Sequence, residues 1–269
     1  MNNQMPTPPA DMVMPVMANN AYIIVTYVLL AVTAVALAVD GRRRGSMLGL
    51  MCLAGGALAV FLEATLDVLC LVWYPSIDHE PLYSAFNYEI PYWMLPAYAL
   101  YMGAQGYWMY RQFQAGLTRA RLWTLFFVFW GTNAIVELPG LNLGIYTYYG
   151  DQPFRVFGFP LWMAMTNSLT PILVGVAVYG LQKLFDGVRV LLVVPLVPMV
   201  IVGGEAAAGW PIWFALNSGL GYAATYPAAL LTLGLSLITV YLVSRTACAD
   251  AHVTARAPVS AGAPRAAAL

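Results

Sequence analysis

Residues 121–140 read RLWTLFFVFWGTNAIVELPG, and this stretch decides the architecture of the 269-residue chain. Arg121 opens it, an uncharged apolar run follows, and a single acid, Glu137, stands near its far end. A helix rises 1.5 Å per residue, so about 20 apolar residues cross a hydrocarbon core of roughly 30 Å. Six more segments have the same character, at about 21–39, 47–73, 91–110, 160–182, 189–208 and 222–243. Composition agrees: 61% of residues are hydrophobic and 9% charged, where a soluble domain carries about 25% charged residues. The expected fold is all-α, a polytopic membrane bundle of seven transmembrane helices over 21–243. Segments 1–20, at the outer end, and 244–269, on the cytoplasmic side, are rich in polar residues, Ala and Pro and are expected to be disordered. The first of these lacks Lys or Arg before the apolar run and does not read as a signal peptide.

Charge orients the bundle. Arg42, Arg43 and Arg44, then Arg111, Arg119 and Arg121, then Lys183 and Arg189 fall between alternate spans, and Arg245, Arg256 and Arg265 follow the last. Only Arg155 lies on the other side, a split of eleven to one. The positive-inside rule places the basic side in the cytoplasm, with the N-terminus outside and the C-terminus inside. A bacterial plasma membrane is the expected location. The opposite loops are rich in aromatic and acidic residues, as in Trp73-Tyr74, Tyr88-Glu89 and Tyr146-Thr147-Tyr148-Tyr149, which suits the membrane–water interface.

The stretch also repeats. Arg121 precedes Glu137 by 16 residues, Arg189 precedes Glu205 by 16, and Arg44 precedes Glu63 by 19. At 1.5 Å per residue each glutamate sits roughly 24–28 Å along its helix. The partner helices open with proline: Pro91-Tyr92-Trp93-Met94, Pro160-Leu161-Trp162-Met163 and, more loosely, Pro227-Ala228-Ala229. Proline suits a first helical turn, where its missing N–H has no partner to lose. The pattern reads as one leading helix plus three hairpins, each lifting a glutamate to a similar depth, with a site expected where the hairpins meet.

Glu63, Asp67, Glu137 and Glu205 are the acids inside the spans. A carboxylate at the centre of hydrocarbon costs at least about 2.5 kcal/mol, so such residues face the protein interior and mark function by default. Glu63 and Asp67 are four apart and share a helix face. A close pair of carboxyls can supply a general acid and a general base together. The bland alternative is that the acids only bond neighbouring helices, through Thr132, Asn133, Asn167 or tyrosines. Trp93, Trp162, Trp130, Tyr98, Tyr101, Tyr146 and Trp213 lie near the same depth; they can line a pocket for a carbocation or serve as interfacial anchors. The segment 144–153 reads as a lid or as a structured loop.

Absences narrow the chemistry. The net charge is zero, so nothing suggests nucleic acid. Cys52, Cys70 and Cys248 form no CxxC, and His79 and His252 are not paired for a metal. Asp78-His79-Glu80, three adjacent residues, makes a poor coordination shell. No cofactor and no metal are expected. The only lysine, Lys183, is at a helix end and not in the last span, which excludes a retinal Schiff base. No Asp-rich pair stands in a basic loop to hold Mg²⁺ on a diphosphate, and there is no phosphate-binding loop.

The residues resemble two families. A small heptahelical protein with intramembrane acids and many aromatics is similar to the integral membrane terpene cyclases of meroterpenoid pathways. There a glutamate of the second helix belongs to the proposed proton donor; Glu63, in Phe61-Leu62-Glu63-Ala64, occupies the comparable place. That family carries a second acid in its last helix, where this chain has none. Glu137-Leu138-Pro139-Gly140, with Gly144-Ile145-Tyr146-Thr147-Tyr148 and Gly158-Phe159-Pro160, resembles a pattern of membrane carotenoid hydratases over about 25 residues. Both resemblances imply protonation of an alkene or epoxide on a lipid-soluble isoprenoid, ending in cyclisation or hydration, an isomerase or lyase chemistry. Glu63, Glu137, Glu205 and Asp67 are the expected catalytic residues. Trp93, Trp162, Tyr98, Trp130, Asn133, Asn167 and Tyr146 are expected to contact substrate. A proton-coupled transporter or a binding protein for a small hydrophobic molecule is the alternative, and oligomeric state is not legible.

Overall fold

The computed structural model describes residues 6–249; residues 1–5 and 250–269, which include most of the expected C-terminal tail, lie outside it. Among the described residues the chain is mostly helical. Seven long helices run in order: α1 (Val16–Arg44), α2 (Leu48–Cys70), α3 (94–114), α4 (Arg119–Leu143), α5 (Leu161–Leu184), α6 (Gly187–Leu216) and α7 (Tyr222–Thr246). All but α3 are long and apolar enough to cross a membrane. At 21 residues α3 has the length, about 31 Å, but Gln105, Arg111, Gln112 and Gln114 dilute its hydropathy.

Local chemistry sets the helix ends. Gly45 closes α1 and Gly144 closes α4, each in the left-handed conformation with its N–H returned to a carbonyl of the last turn. Thr118 caps the start of α4 by accepting from Arg121 N at 3.4 Å. Pro160 stands just before α5. The third proline departs from the expected pattern. Helix α7 begins at Tyr222, so Pro227 lies inside it and leaves the Ala223 carbonyl without a helical N–H. The segment expected to be disordered as 1–20 carries defined structure from Pro6 onward. Val13 bridges to Ile77, Met14 is buried with its N–H on the Ile77 carbonyl at 2.9 Å, and α1 begins at Val16.

Helix α5 is the axis of the bundle, packed on α3, α4, α6 and α7. Helix α2 packs on α1, α3 and α6. The α2–α3 contact is close because both sides are glycine: a Cβ on Gly56 would stand 2.7 Å from Gly103 N. Small residues let membrane helices approach to this distance, where van der Waals packing replaces the missing hydrophobic drive. Helix α1 lies outermost, against α2 and α3, and buries only Asn19 and Gly41, near its two ends.

The loops at one end form a cap. Strands β1 (Val72–Trp73), β2 (Tyr83–Ala85), β3 (Tyr88–Ile90), β4 (Thr147–Tyr148), β5 (Arg155–Val156) and β6 (Phe159–Pro160) pair antiparallel as β1–β4, β2–β3 and β5–β6. The β1–β4 pair, with Val72 opposite Tyr148, clamps the loop after α2 to the loop after α4. Gln152 extends the clamp: its Nε2 donates to the Cys70 carbonyl at 2.7 Å and its Oε1 accepts from Trp162 Nε1 at 3.2 Å. Segment 144–153 is thus a structured part of this cap. The arginine-rich turns gather at the other end.

Candidate functional site

The four acids come from three hairpins, and the fold delivers them to one cavity of about 660 Å³ below the cap. Glu63 and Asp67 reach it from α2, Glu137 from α4 and Glu205 from α6. Its volume falls within the roughly 300–1,000 Å³ of small-molecule sites. Of the other expected residues, Trp93, Tyr98, Asn133, Asn167 and Tyr146 also line it.

Each acid has a different setting. Glu63 is buried and held at both oxygens: Tyr74 OH donates to Oε1 at 2.6 Å and Tyr98 OH to Oε2 at 2.5 Å. Glu137 Oε2 accepts from Tyr146 OH at 2.6 Å and from Tyr148 OH at 3.4 Å, and Tyr146 OH also reaches the Glu137 carbonyl at 2.9 Å. Glu205 accepts a long bond, 3.3 Å, from Thr170. Asp67 is 2% exposed, and its Oδ2 has no partner. At Glu63 and Glu137 the cap tyrosines Tyr74, Tyr146 and Tyr148 are the donors. Burial, followed by the neighbouring Glu63, pushes the Tyr74 phenol far above its usual range; burial and Glu137 do the same to Tyr146 and Tyr148.

Aromatic rings roof the acids. Trp93 packs against Tyr22, Tyr74 and Tyr146 with ring centroids 5.6, 5.7 and 6.0 Å apart, and Tyr74 meets Tyr146 at 5.8 Å. Trp93 is 6% exposed, and its indole N–H has no partner. The middle of α3, Ala99–Ala104, is wound as a π-helix, and Leu100, Tyr101, Met102 and Ala104 from it face the cavity. Such wider turns recur at functional sites because they re-aim side chains.

The chain matches no family model, no curated protein and no solved structure. Its site therefore has to be read from its own geometry.

Two expected lining residues lie elsewhere. Trp162 is fully buried in the packing and spends its indole N–H on Gln152. Trp130 donates to the Leu161 carbonyl at 3.3 Å, between α4 and α5. Both are held by backbone or cap groups and neither lines the cavity. Conversely, Tyr74, Tyr148, Cys70 and Gln105 line it without having been singled out. Tyr74 and Tyr148 read as interface aromatics because nothing in the sequence couples a cap loop to an acid on a distant helix. Gln105 carried a signal, an amide in the middle of a membrane-length helix.

One side of the cavity wall is made by Tyr22, Thr26, Leu29 and Thr33 of α1, and another by Asn133, Val136 and Glu137 of α4. Helix α1 packs on α2 and α3 and not broadly on α4. Leu29 and Val136 are themselves largely exposed. The lining reaches Thr33 of α1 and Trp108 of α3 and does not include Asp40 or Arg111 at the arginine end. No lysine, arginine or histidine lines the cavity, and among the described residues no group of acids, cysteines and histidines is arranged to hold a metal.

Proposed function

We propose that this is a membrane-embedded enzyme with seven spans, N-terminus outside and C-terminus cytoplasmic, that protonates an alkene or epoxide of an isoprenoid lipid and directs the cation to a cyclised or hydrated product. The observation that carries this reading is a cavity with four carboxyl groups and an aromatic roof, whose wall at α1 and α4 includes Leu29 and Val136, both also exposed on the apolar surface of the bundle; we take this side as the entry. A substrate dissolved in lipid reaches such a site without crossing water. A path for a transported solute would continue toward the arginine end, where Asp40 and Arg111 stay outside the lining.

The chemistry needs one proton. A carboxylic acid, Glu63 or Glu137, gives its proton to one alkene carbon; the π pair forms the new C–H bond and leaves a cation on the neighbouring carbon. For an epoxide the proton goes to oxygen as the C–O bond breaks. The faces of Trp93, Tyr74 and Tyr146 stabilise the cation by cation–π attraction, worth up to about 2 kcal/mol per ring once water is excluded. A carboxylate then removes a proton from an adjacent carbon, or water adds and releases one, so the acid is restored. The tyrosines that donate to Glu63 and Glu137 hold each carboxyl in place through these steps.

The test is conversion of polyprenyl alkenes and epoxides by membranes containing the protein. Glu63→Gln and Glu137→Gln should each lower turnover about 10²–10⁴-fold, the usual contribution of a positioned general acid. Full turnover in both variants would end this assignment.

A further inference from the structure

The cavity holds a second set of polar groups that acid chemistry does not use. Asn133 of α4 and Asn167 of α5 both line it, joined by one bond from Asn167 Nδ2 to Asn133 Oδ1 at 3.4 Å. That bond leaves the whole Asn133 NH₂, the second N–H of Asn167 and the Asn167 oxygen without a protein partner. Exchanging oxygen and nitrogen on both amides gives the same complement, so the inventory does not depend on which way they are turned. Gln105 of α3 lines the cavity too, and its Oε1 is buried with no hydrogen bond. Three amides from three helices thus stand at the same chamber as the acids. An unpaired amide in an apolar setting costs roughly 1–3 kcal/mol by protein mutational data, which a pure hydrocarbon ligand would leave uncompensated.

We infer that the site takes an amphiphilic ligand whose head is a neutral hydroxyl, bound between Asn133 and Asn167 with Gln105 as a further acceptor, and that it rejects an anionic head such as a diphosphate. A hydroxyl donates one hydrogen bond and can accept as well, so a single head group can give its proton to the Asn167 oxygen and accept from the Asn133 amide. An anion would meet Glu63, Glu137 and Glu205 with no cation in the wall to balance it. Position adds a constraint. Asn133 precedes Glu137 by four residues, one turn of α4, so a head seated on the amides lies about 6 Å along the axis from that acid. The inference rests on the cavity being the ligand site proposed above.

The experiment is direct binding to the full-length protein in lipid nanodiscs, with empty nanodiscs as the partition control. Three probes share one tail: geranylgeraniol, its O-methyl ether and its diphosphate. The alcohol should bind about tenfold tighter than the ether, which lacks the donor, and the diphosphate should bind more weakly than either. Asn133→Leu and Asn167→Leu should bring the alcohol-to-ether ratio close to one while the ether's affinity persists, which also reports that the variants fold. Where a leucine variant does not fold, the wild-type ranking decides alone. Equal binding of alcohol and ether, or preference for the diphosphate, overturns the inference. Because this readout needs no turnover, an alcohol preference in a protein that converts no isoprenoid would sink the enzyme reading and leave this one standing. Loss of turnover in the glutamate variants with no alcohol preference would do the reverse.

Discussion

Removing the acceptor that Tyr74 and Tyr98 share gives the sharpest test of the site's construction. Both phenols are buried and both end on Glu63, at 2.6 and 2.5 Å. Bonds to a charged acceptor contribute about 1.5–3 kcal/mol in soluble proteins, whereas pairwise couplings inside membrane bundles average about 0.6 and reach about 1.7. Both phenols are buried in the cavity wall beside Glu63, so their bonds belong near the upper end of the membrane range, about 1–2 kcal/mol per pair. Tyr98→Phe alone should therefore destabilise by about that amount. In a Glu63→Leu background the same change should be neutral or stabilising, because it removes a hydroxyl already stranded without an acceptor. Tyr74→Phe should repeat the pattern. The assay is reversible unfolding in mixed detergent–SDS micelles, run as a double-mutant cycle. A coupling below about 0.5 kcal/mol, within the ordinary scatter of additivity, would refute the claim that these tyrosines hold Glu63 in place.

Four further outcomes are expected. Gly103→Leu should push α3 off the Cys52–Leu53 backbone of α2 and destabilise by about 1–3 kcal/mol or more, seen as a lower unfolding midpoint or loss of protein from the membrane fraction. Leu29→Trp, at the proposed entry, should cut conversion of a lipid substrate several-fold through KM with no change in unfolding; unchanged KM would argue against access between α1 and α4. Trp162→Phe should cost stability, about 1–3 kcal/mol, and leave KM alone, since that ring serves Gln152 and not the cavity. His79, half-buried with neither ring nitrogen bonded, is held below its ordinary pKa of 6.5 by burial. Its lowered folded-state value means the opened loop binds the extra proton, so the cap is most stable above pH 6.5 and loosens as pH falls through the folded value. Hydrogen exchange of residues 71–93 measured against pH should show this, and His79→Phe should abolish it.

Much of the bundle was legible in the chain because a membrane leaves few options. Seven apolar segments of membrane length correspond to seven helices, with ends displaced by up to about eight residues, because periodicity marks a helix better than its caps do. The arginines mark one end and the aromatic loops the other. The weakest match was Pro227, where a motif reduced to one residue could not say that α7 begins at Tyr222. Trp162 shows the other limit: the same Trp-Met pair occurs after Pro91 and Pro160, yet one tryptophan roofs the cavity and the other is locked in packing. Sequence symmetry does not say which copy's ring faces the interior space.

By itself the chain determined an all-helical, apolar body with four acids in the middle of it, since backbone hydrogen bonding and the cost of buried charge leave no cheaper arrangement. Only the tertiary structure decided that those acids share one cavity, because residues from α2, α4 and α6 converge by long-range packing that no local pattern encodes. It alone joined Tyr98 of α3 and Tyr74 of the cap to Glu63, and Tyr146 and Tyr148 of the cap to Glu137, with the two cap loops, about 75 residues apart, paired at β1–β4. It also decided that Leu29 of α1 and Val136 of α4 line the cavity while staying exposed on the outside, because α1 rests on α2 and α3 and does not pack broadly on α4.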